Sequence, residues 1–186
     1  MIALRTPLVA GLSETLWPRG GLATHAKALL AQPLLDWSWN RAVRGAVRAK
    51  PWPWTEAWPV ARLTAPGVDG WSYVLADAAE DDLGCASGHL PGTAKPGAPG
   101  NSVVVGGRET PARFLQVLAA ERLTLETADG GRRDFSIVGR RIAEARQIPA
   151  QPMLERPMLT LVACYPFDSS GASGSLRYVV TAVAQE

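Results

Sequence analysis

The sequence predicts an all-β domain, a closed or nearly closed barrel of about six to eight strands with short crossing helices, behind an N-terminal helical arm. Two patterns carry this prediction. Short runs rich in β-branched residues alternate with turn signals over residues 58–182. Before them, apolar residues recur at spacings of three and four, which is typical of a helix. We therefore divide the chain into an arm over residues 1–50 and a barrel domain over residues 51–186.

Residues 1–21 have the composition of a degenerate membrane anchor. A few apolar residues are interrupted by Arg5, Pro7, Glu14 and Pro18. No window approaches the roughly 18 to 20 uninterrupted apolar residues that span a bilayer. The segment also lacks the apolar core and small-residue cleavage site of a signal peptide.

Residues 22–47 are predicted to form an amphipathic helix. Its apolar stripe consists of Leu22, Ala26, Leu29, Leu30, Leu34 and Trp37. We expect this stripe to pack on the core of the same protein, with a role at a membrane surface or in partner binding as the alternative. Pro33 is expected to interrupt or kink the helix, because it has no amide hydrogen to donate to the preceding turn.

The segment PWPW at residues 51–54 is predicted to be an extended strap between the arm and the barrel. Prolines at alternate positions exclude a helix and favour a polyproline conformation. Its tryptophans, with Trp58, are expected to hold the arm across the barrel. The alternative is an aromatic groove for a peptide, because indole rings are amphipathic.

The barrel elements follow from runs of apolar residues and the turns between them. Residues 58–63, 71–76 and 101–106 are predicted strands. The remaining predictions are a short helix at 77–83, a loop at 84–100, a crossing helix at 111–120, a hairpin of 123–127 with 133–138, a strand or crossing at 142–147, and two final strands at 159–163 and 176–180.

The two final strands flank the residues that suggest chemistry. Cys164 follows the first strand, and Arg177 stands at the start of the second, after a turn-rich loop. If the strands are neighbours in one sheet, both residues lie at the same end. A thiol facing a guanidinium is a candidate nucleophile beside an oxyanion or substrate clamp, because thiolates attack carbonyls and arginine stays charged at any working pH. The alternative is a buried cysteine and a surface arginine.

Composition limits the other classes of site. The net charge is +2, with 19 basic and 17 acidic residues interspersed, so no basic block argues for nucleic acid. A basic cluster in the arm, Arg41, Arg44, Arg48 and Lys50, is usually a solvated face and would alternatively suit anionic lipid. Cys85 and His89 stand four residues apart, but no further Cys/His pair completes a zinc-like pattern, so we predict no metal. Whether the two cysteines form a disulfide stays open.

Two blocks of sequence carry a family resemblance. TLVACYPF at residues 160–167, followed by LRYVVTA at 176–182, resembles the signature of sortases, whose TLxTC motif precedes a catalytic arginine. GHLPGTAKPGAPGNSVVVGGRET at residues 88–110 is similar to the GHLPGTxxPGxxGNxVxAGHRDT block of class GN sortases, the Gram-negative and marine proteobacterial type. The similarity extends more weakly over residues 51–182. One departure matters most: Gly107, in VGGRET, stands where the family has its catalytic histidine.

The resemblance implies the sortase barrel and a cysteine transpeptidase that attaches proteins to the cell envelope. Cys164, kept as a thiol, would attack a carbonyl in the C-terminal sorting signal of a secreted or surface protein, and an amine acceptor or water would resolve the thioester. Arg177 would hold the substrate or stabilise the oxyanion. No cofactor is implied, and we find no carboxylate cluster for the calcium that some sortases use. The expected location is the cell envelope or the periplasmic face of the inner membrane, with membrane-surface association through the arm.

Three interpretations of Gly107 stay open. The family histidine protonates the leaving amine, which contributes about two to four powers of ten in rate, and glycine cannot do so. The chain is then a sortase fold with reduced or lost activity that binds sorting signals or partner proteins. Alternatively, His89 in the retained GHLPGT supplies the proton, although a histidine there is otherwise a structural hydrogen-bonding residue. The third interpretation is an engineered change at Gly107.

Two other classes are less consistent with the sequence. Peptidoglycan L,D-transpeptidases also use Cys, His and Arg in a β-rich domain. Their motif has Gly immediately before the cysteine and Arg two residues after it, whereas Ala163 and Pro166 occupy those positions here. A purely structural interaction domain is the remaining alternative, and the presence of both Cys164 and Arg177 argues mildly against it.

Overall fold

The computed structural model describes residues 21–79, 83, 85–106, 112–147, 155–167 and 175–185. Within these ranges it contains two α-helices and eight strands. In chain order they are α1 (Gly21–Val43), β1 (Trp58–Thr64), β2 (Ser72–Ala76), β3 (Ser87–His89), β4 (Gly100–Gly106), α2 (Ala112–Ala119), β5 (Arg122–Thr127), β6 (Arg132–Glu144), β7 (Pro157–Cys164) and β8 (Leu176–Ala184). A 3₁₀ turn, Ala145–Gln147, follows β6.

The eight strands close into a barrel in the order β1-β2-β3-β4-β7-β8-β6-β5. β1 pairs antiparallel with both β2 and β5, which closes the sheet and leaves no unpaired edge. Neighbouring strands are antiparallel except for two parallel pairs, β2 with β3 and β4 with β7. The predicted all-β class and the closed barrel of six to eight strands are confirmed.

The inside of the barrel is a packed hydrophobic core. Large apolar side chains from almost every strand meet there, among them Leu63, Val74, Val104, Leu125, Phe135, Leu161 and Val180. Phe114, Val117 and Leu118 of α2 belong to the same cluster. Because side chains fill the interior of a barrel of this size, a peptide is not expected to enter it, and any site must lie on the outer surface.

A second apolar cluster attaches α1 to the outside of the barrel. Leu35 and Trp39 of α1 are buried against Tyr73 and Leu75 of β2. Asp36 accepts hydrogen bonds from the Tyr73 hydroxyl and from Trp71 Nε1. Burial, together with the hydrogen bond to Asp36, raises the pKa of Tyr73 well above its usual value. The arm is therefore docked on the barrel by apolar contacts and by partly buried hydrogen bonds to Asp36.

Arg62 of β1 strengthens the same junction. Its guanidinium carbon lies 5.4 Å from the ring centroid of Trp39 and 5.3 Å from that of Trp71. The guanidinium also forms an ion pair with Glu126 of β5. Through these contacts the Arg62 guanidinium connects α1 with β1 and β5.

The predicted apolar stripe of the helix faces away from the barrel, so the expectation that it packs on the core was wrong for its described residues. Leu30, Leu34 and Trp37 are 66%, 41% and 51% exposed. The buried side carries Ala31, Leu35, Ser38 and Trp39 instead. Apolar residues stand on two sides of α1, and spacing alone cannot tell which side meets a sheet. The side chains of Leu22, Ala26 and Leu29 lie outside the described part.

The helix also continues through Pro33, so of the expected interruption or kink the interruption was wrong. Pro33 lies on the exposed side of α1, where the carbonyl that its ring leaves without a donor can be solvated. No helix within the described ranges is both long and apolar enough to cross a membrane. Residues 1–20, which hold nearly all of the predicted degenerate anchor, lie outside the described residues.

Four segments of the barrel domain differ from the sequence prediction. β3 lies inside the predicted loop at 84–100, because β2 and β4 on either side recruit a short segment of low strand propensity. β6 is one strand where two pieces were expected, since a bulge between Ile137 and Gly139 breaks the alternation. Residues 77–79 are not helical, and 80–82 lie outside the described part. The PWPW segment turns rather than extends, with Trp52 packed on the second cluster and Trp54 exposed.

Candidate active site

Cys164 and Arg177 are cross-strand neighbours. β7 and β8 run antiparallel, and their register places Cys164 directly opposite Arg177. Cβ atoms of opposed residues in such a ladder lie about 4.5–5.5 Å apart. Cys164 is the last residue of β7 and Arg177 the second of β8, so the pair stands at the end of the strands, next to the loop that joins them.

Both side chains project from the outer face of the barrel. Ala163 and Tyr178, their neighbours along the two strands, belong to or pack against the barrel core. Side chains alternate along a strand, so Cys164 and Arg177 lie on the opposite face. Each is partly buried, which suits groups that must be held in position yet remain reachable.

Arg177 is held partly by its own strand. Its Nη1 donates a hydrogen bond of 2.8 Å to the carbonyl of Leu176. A guanidinium carries five N–H donors in a planar fork, a geometry that suits a bound carbonyl oxygen. A fixed positive charge within reach of the thiol is the arrangement needed to hold an oxyanion that forms when a thiolate attacks a carbonyl.

The outer face behind this pair is apolar and buried. Val162 and Thr160 of β7, Val103 of β4 and Val179 of β8 lie in the sheet on the side of Cys164, and each is at most 3% exposed. Thr160 donates a hydrogen bond of 2.9 Å to the Asn101 side-chain oxygen. A layer of buried, mostly apolar side chains next to the pair lowers the local dielectric constant and so strengthens electrostatic contacts at its edge.

The strand that leads to Gly107 ends close to Cys164. β4 is parallel to β7, and its last residue, Gly106, pairs with Ala163. A Cβ atom on Gly106 would lie 2.6 Å from the Phe114 ring of α2, so only glycine fits this close approach. Gly107 itself, where the resemblance puts the missing histidine, lies outside the described residues.

We expect Gly106→Ala to destabilise the fold by about 1–3 kcal/mol, because the new methyl group would displace the buried Phe114 ring. Thermal or urea unfolding measures the loss. Gly139→Ala on β6 is the matched control, since a Cβ there meets nothing within 4 Å. Equal stability of the two variants would contradict the packing argument.

His89 lies away from the Cys164–Arg177 pair. It is the last residue of β3 and pairs with Val104, which in turn pairs with Leu161. It is therefore three residues from Cys164 along the strands and two strands across, about 10 Å in each direction. Its Nε2 lies 2.9 Å from the Ala94 carbonyl and 3.1 Å from Thr93 Oγ1, within the loop that follows β3.

Three aromatic rings that the sequence analysis did not single out cluster at the same end of β7 and β8 as the pair. Tyr165 and Phe167 follow Cys164, and Tyr178 follows Arg177. The rings of Tyr165 and Phe167 meet edge to face with centroids 5.6 Å apart, and those of Phe167 and Tyr178 at 5.4 Å. Phe167 is 47% exposed. The available signal was the run CYPF, in which two aromatic residues stand within three positions after the candidate nucleophile.

Cys85, the second cysteine, does not belong to the site, and the structure shows neither a disulfide nor a metal site among its described residues. Neither Cys164 nor Cys85 forms a disulfide, which answers the question that the sequence left open. Gln32 Nε2 of α1 donates a hydrogen bond of 3.1 Å to the Cys85 carbonyl, which places Cys85 beside the arm. In the part of the chain that the structure describes, no group of three or more His, Cys, Asp or Glu side chains could hold a metal ion.

Comparison with known proteins gives a consistent result. A family model described as the Sortase domain matches residues 63–185. A search of curated proteins finds no match. Among solved structures, sortase C-1 of Actinomyces oris has a TM-score of 0.57 at 20% identity, covering 69% of this chain and 75% of that one. The sortase D5 transpeptidase of Clostridium perfringens has a TM-score of 0.59 at 14% identity, covering 88% of this chain and 99% of that one. A lid mutant of sortase A from Corynebacterium diphtheriae has a TM-score of 0.59 at 15% identity, covering 90% of this chain and 96% of that one.

Proposed function

The chain belongs to the sortase family, and we propose that it is a class GN cysteine transpeptidase whose nucleophile and arginine are in place but whose proton donor is missing. The family establishes a sortase-type transpeptidase in general terms. The observation that carries the finer proposal is the cross-strand register of Cys164 with Arg177 on the outer face of the barrel.

In this proposal the sorting signal becomes bound to Cys164 as a thioester. The thiolate sulfur attacks the carbonyl carbon of the scissile peptide bond, and the oxygen becomes an oxyanion. Arg177, fixed opposite the thiol, donates hydrogen bonds to that oxygen or to a substrate carbonyl next to it. As the tetrahedral species collapses, the C–N bond breaks, the amine needs a proton, and a thioester remains on Cys164.

The missing component is the donor of that proton. By resemblance, Gly107 stands at the position of the family histidine, and glycine has no side chain to donate from. His89 is bonded within its own loop and lies far along the strands, which makes it a poor substitute. We therefore propose slow cleavage of amides at an otherwise assembled site.

The aromatic rings suggest what the substrate brings to the site. Phe167 exposes almost half of its surface at the end of the strands that carry the pair, where its ring packs against those of Tyr165 and Tyr178. Such a surface favours an apolar residue of the sorting signal near the scissile bond. The proposed partners are the C-terminal sorting signal of a secreted or surface protein and an amine acceptor. The proposed location is the cell envelope, at the periplasmic face of the inner membrane.

The second candidate function is binding without catalysis. Gly107 favours it, because loss of the proton donor impairs turnover but leaves the Cys164–Arg177 surface and the aromatic rings able to hold a peptide. A sorting signal would then bind reversibly and remain intact. The two functions differ in one observable, the covalent bond to Cys164.

A peptide thioester tests the proposal, because its leaving group departs as a thiolate and needs little help from an acid. Incubating the protein with thioesters of sorting-signal-like peptides is expected to give an acyl adduct by intact mass spectrometry. The adduct should persist in Cys85→Ala, be absent from Cys164→Ala, and disappear when the protein is first denatured. Labelling of both cysteines at equal rates, or labelling that survives denaturation, would leave only nonspecific thiol exchange and contradict the proposal.

A further inference from the structure

We propose that the outer face of α1 is a docking surface for an anionic lipid bilayer. The surface consists of Leu30, Leu34 and Trp37, with Arg41 in the last turn of the helix and Arg44 directly after it. It is carried by the arm, not by the catalytic pair, so it deepens the proposed location at the inner membrane and does not depend on the proposed chemistry of Cys164.

The face is apolar and open. Leu30, Leu34 and Trp37 recur at spacings of four and three and so form one continuous stripe. They are 66%, 41% and 51% exposed, although α1 is firmly docked through its other side. An exposed apolar patch of two leucines and a tryptophan on one side of a helix is unfavourable in water, which indicates that this face binds a partner.

The charges around the stripe identify the partner. Arg41 stands one turn after Trp37, and its guanidinium carbon lies 4.7 Å from the Trp37 ring centroid. Arg44 is exposed in the turn directly after α1. Among the described side chains of α1, the sole acidic one is Asp36, and it is turned to the barrel by its bonds to Trp71 and Tyr73. An apolar stripe with arginines and no carboxylate complements a layer of anionic headgroups above acyl chains.

Each group suits a particular depth in such a layer. Leucines reach the acyl boundary, and tryptophan prefers the interface itself, where its ring is apolar and its N–H is hydrated. Arginine keeps its stem along apolar surface while its guanidinium meets phosphate, and Arg41 is already stacked on Trp37. A second copy of this chain is less suitable, because its matching face offers the arginines no carboxylate: Asp36 is bonded to Trp71 and Tyr73 on the other side of the helix.

Vesicle flotation with the full chain tests the proposal. We expect binding to vesicles of phosphatidylcholine with about one-third phosphatidylglycerol, weakening at high salt, and much weaker binding to phosphatidylcholine alone. Leu30→Gln with Leu34→Gln should lower the partition coefficient about tenfold or more, since two apolar groups no longer enter the bilayer. Arg41→Gln with Arg44→Gln should lower it about 30-fold, at about 1 kcal/mol per charge.

A matched control distinguishes binding through this face from nonspecific hydrophobic adsorption to vesicles. Val138 and Ile142 on β6 are comparably exposed, at 63% and 50%, so Val138→Gln with Ile142→Gln also replaces two exposed aliphatic side chains by amides, on another part of the surface. This control should float like the unaltered protein. The proposal is overturned if the Leu30/Leu34 variant binds like the unaltered protein or if the β6 control loses as much. A Leu30/Leu34-dependent dimer in sedimentation, without vesicle binding, would also overturn it in favour of self-association.

Discussion

Gly107→His is expected to raise the rate at which the protein cleaves a sorting-signal amide by about two to four powers of ten. The imidazole would restore the group that hands a proton to the leaving amine, while Cys164 and Arg177 already face each other across β7 and β8. The increase should appear in the rate of acylation, measured by the appearance of the released C-terminal peptide.

The control for this variant is a histidine placed elsewhere. Gly139→His adds the same side chain on β6, where a Cβ has open space around it. It should leave the rate unchanged. The gain in Gly107→His should also vanish when Cys164→Ala is added. A rate gain that survives loss of Cys164, or that Gly139→His reproduces, would show that imidazole acts nonspecifically. It would contradict the proposal that position 107 is where the proton donor is missing.

Arg177→Gln is expected to slow acylation about a hundred- to a thousandfold, because the developing oxyanion loses a charged donor. Arg177→Lys should recover only part of the loss, since an ammonium group is a point charge and cannot reproduce the planar fork of a guanidinium. The effect is measurable with a peptide thioester on the unaltered background and with an amide on the Gly107→His background. Both substrates pass through an oxyanion, so both should respond.

Two readouts distinguish this role from a structural one. Arg177 is partly exposed at the strand end, so its replacement should hardly change the melting temperature. Arg133→Gln, at an exposed position of β6 away from the pair, should alter neither rate nor stability. A fall in rate that parallels a fall in stability, or full recovery by lysine, would contradict the assignment of Arg177 as a donor to the oxyanion.

The barrel and the thiol–guanidinium pair could be predicted because their signals are local. Runs of β-branched residues indicate strands, and Cys164 and Arg177 each adjoin such a run, so an antiparallel pairing of the two runs brings them together. The family resemblance, a matter of short motifs, pointed the same way. The structure adds the register, which places the two residues directly opposite and on the outer face.

What could not be predicted depends on contacts distant in sequence. β3 has no strand pattern of its own and exists because β2 and β4 flank it. The orientation of α1 depends on Tyr73 and Leu75, which receive Leu35 and Trp39, while the stripe that spacing favoured is left outside. The need for glycine at position 106 arises from Phe114, eight positions further along the chain, and no local pattern reveals that contact.

The most direct test compares the amide and the thioester of one sorting-signal peptide on the unaltered protein and on Gly107→His. If only a proton donor is missing, the two proteins should react with the thioester at rates within about tenfold, because a thiolate leaves unaided. With the amide they should differ by a hundredfold or more, because the amine cannot leave without a proton. Equal amide rates would mean that another group already supplies the proton. A thioester as inert as the amide on the unaltered protein would mean that Cys164 and Arg177 do not form a working site.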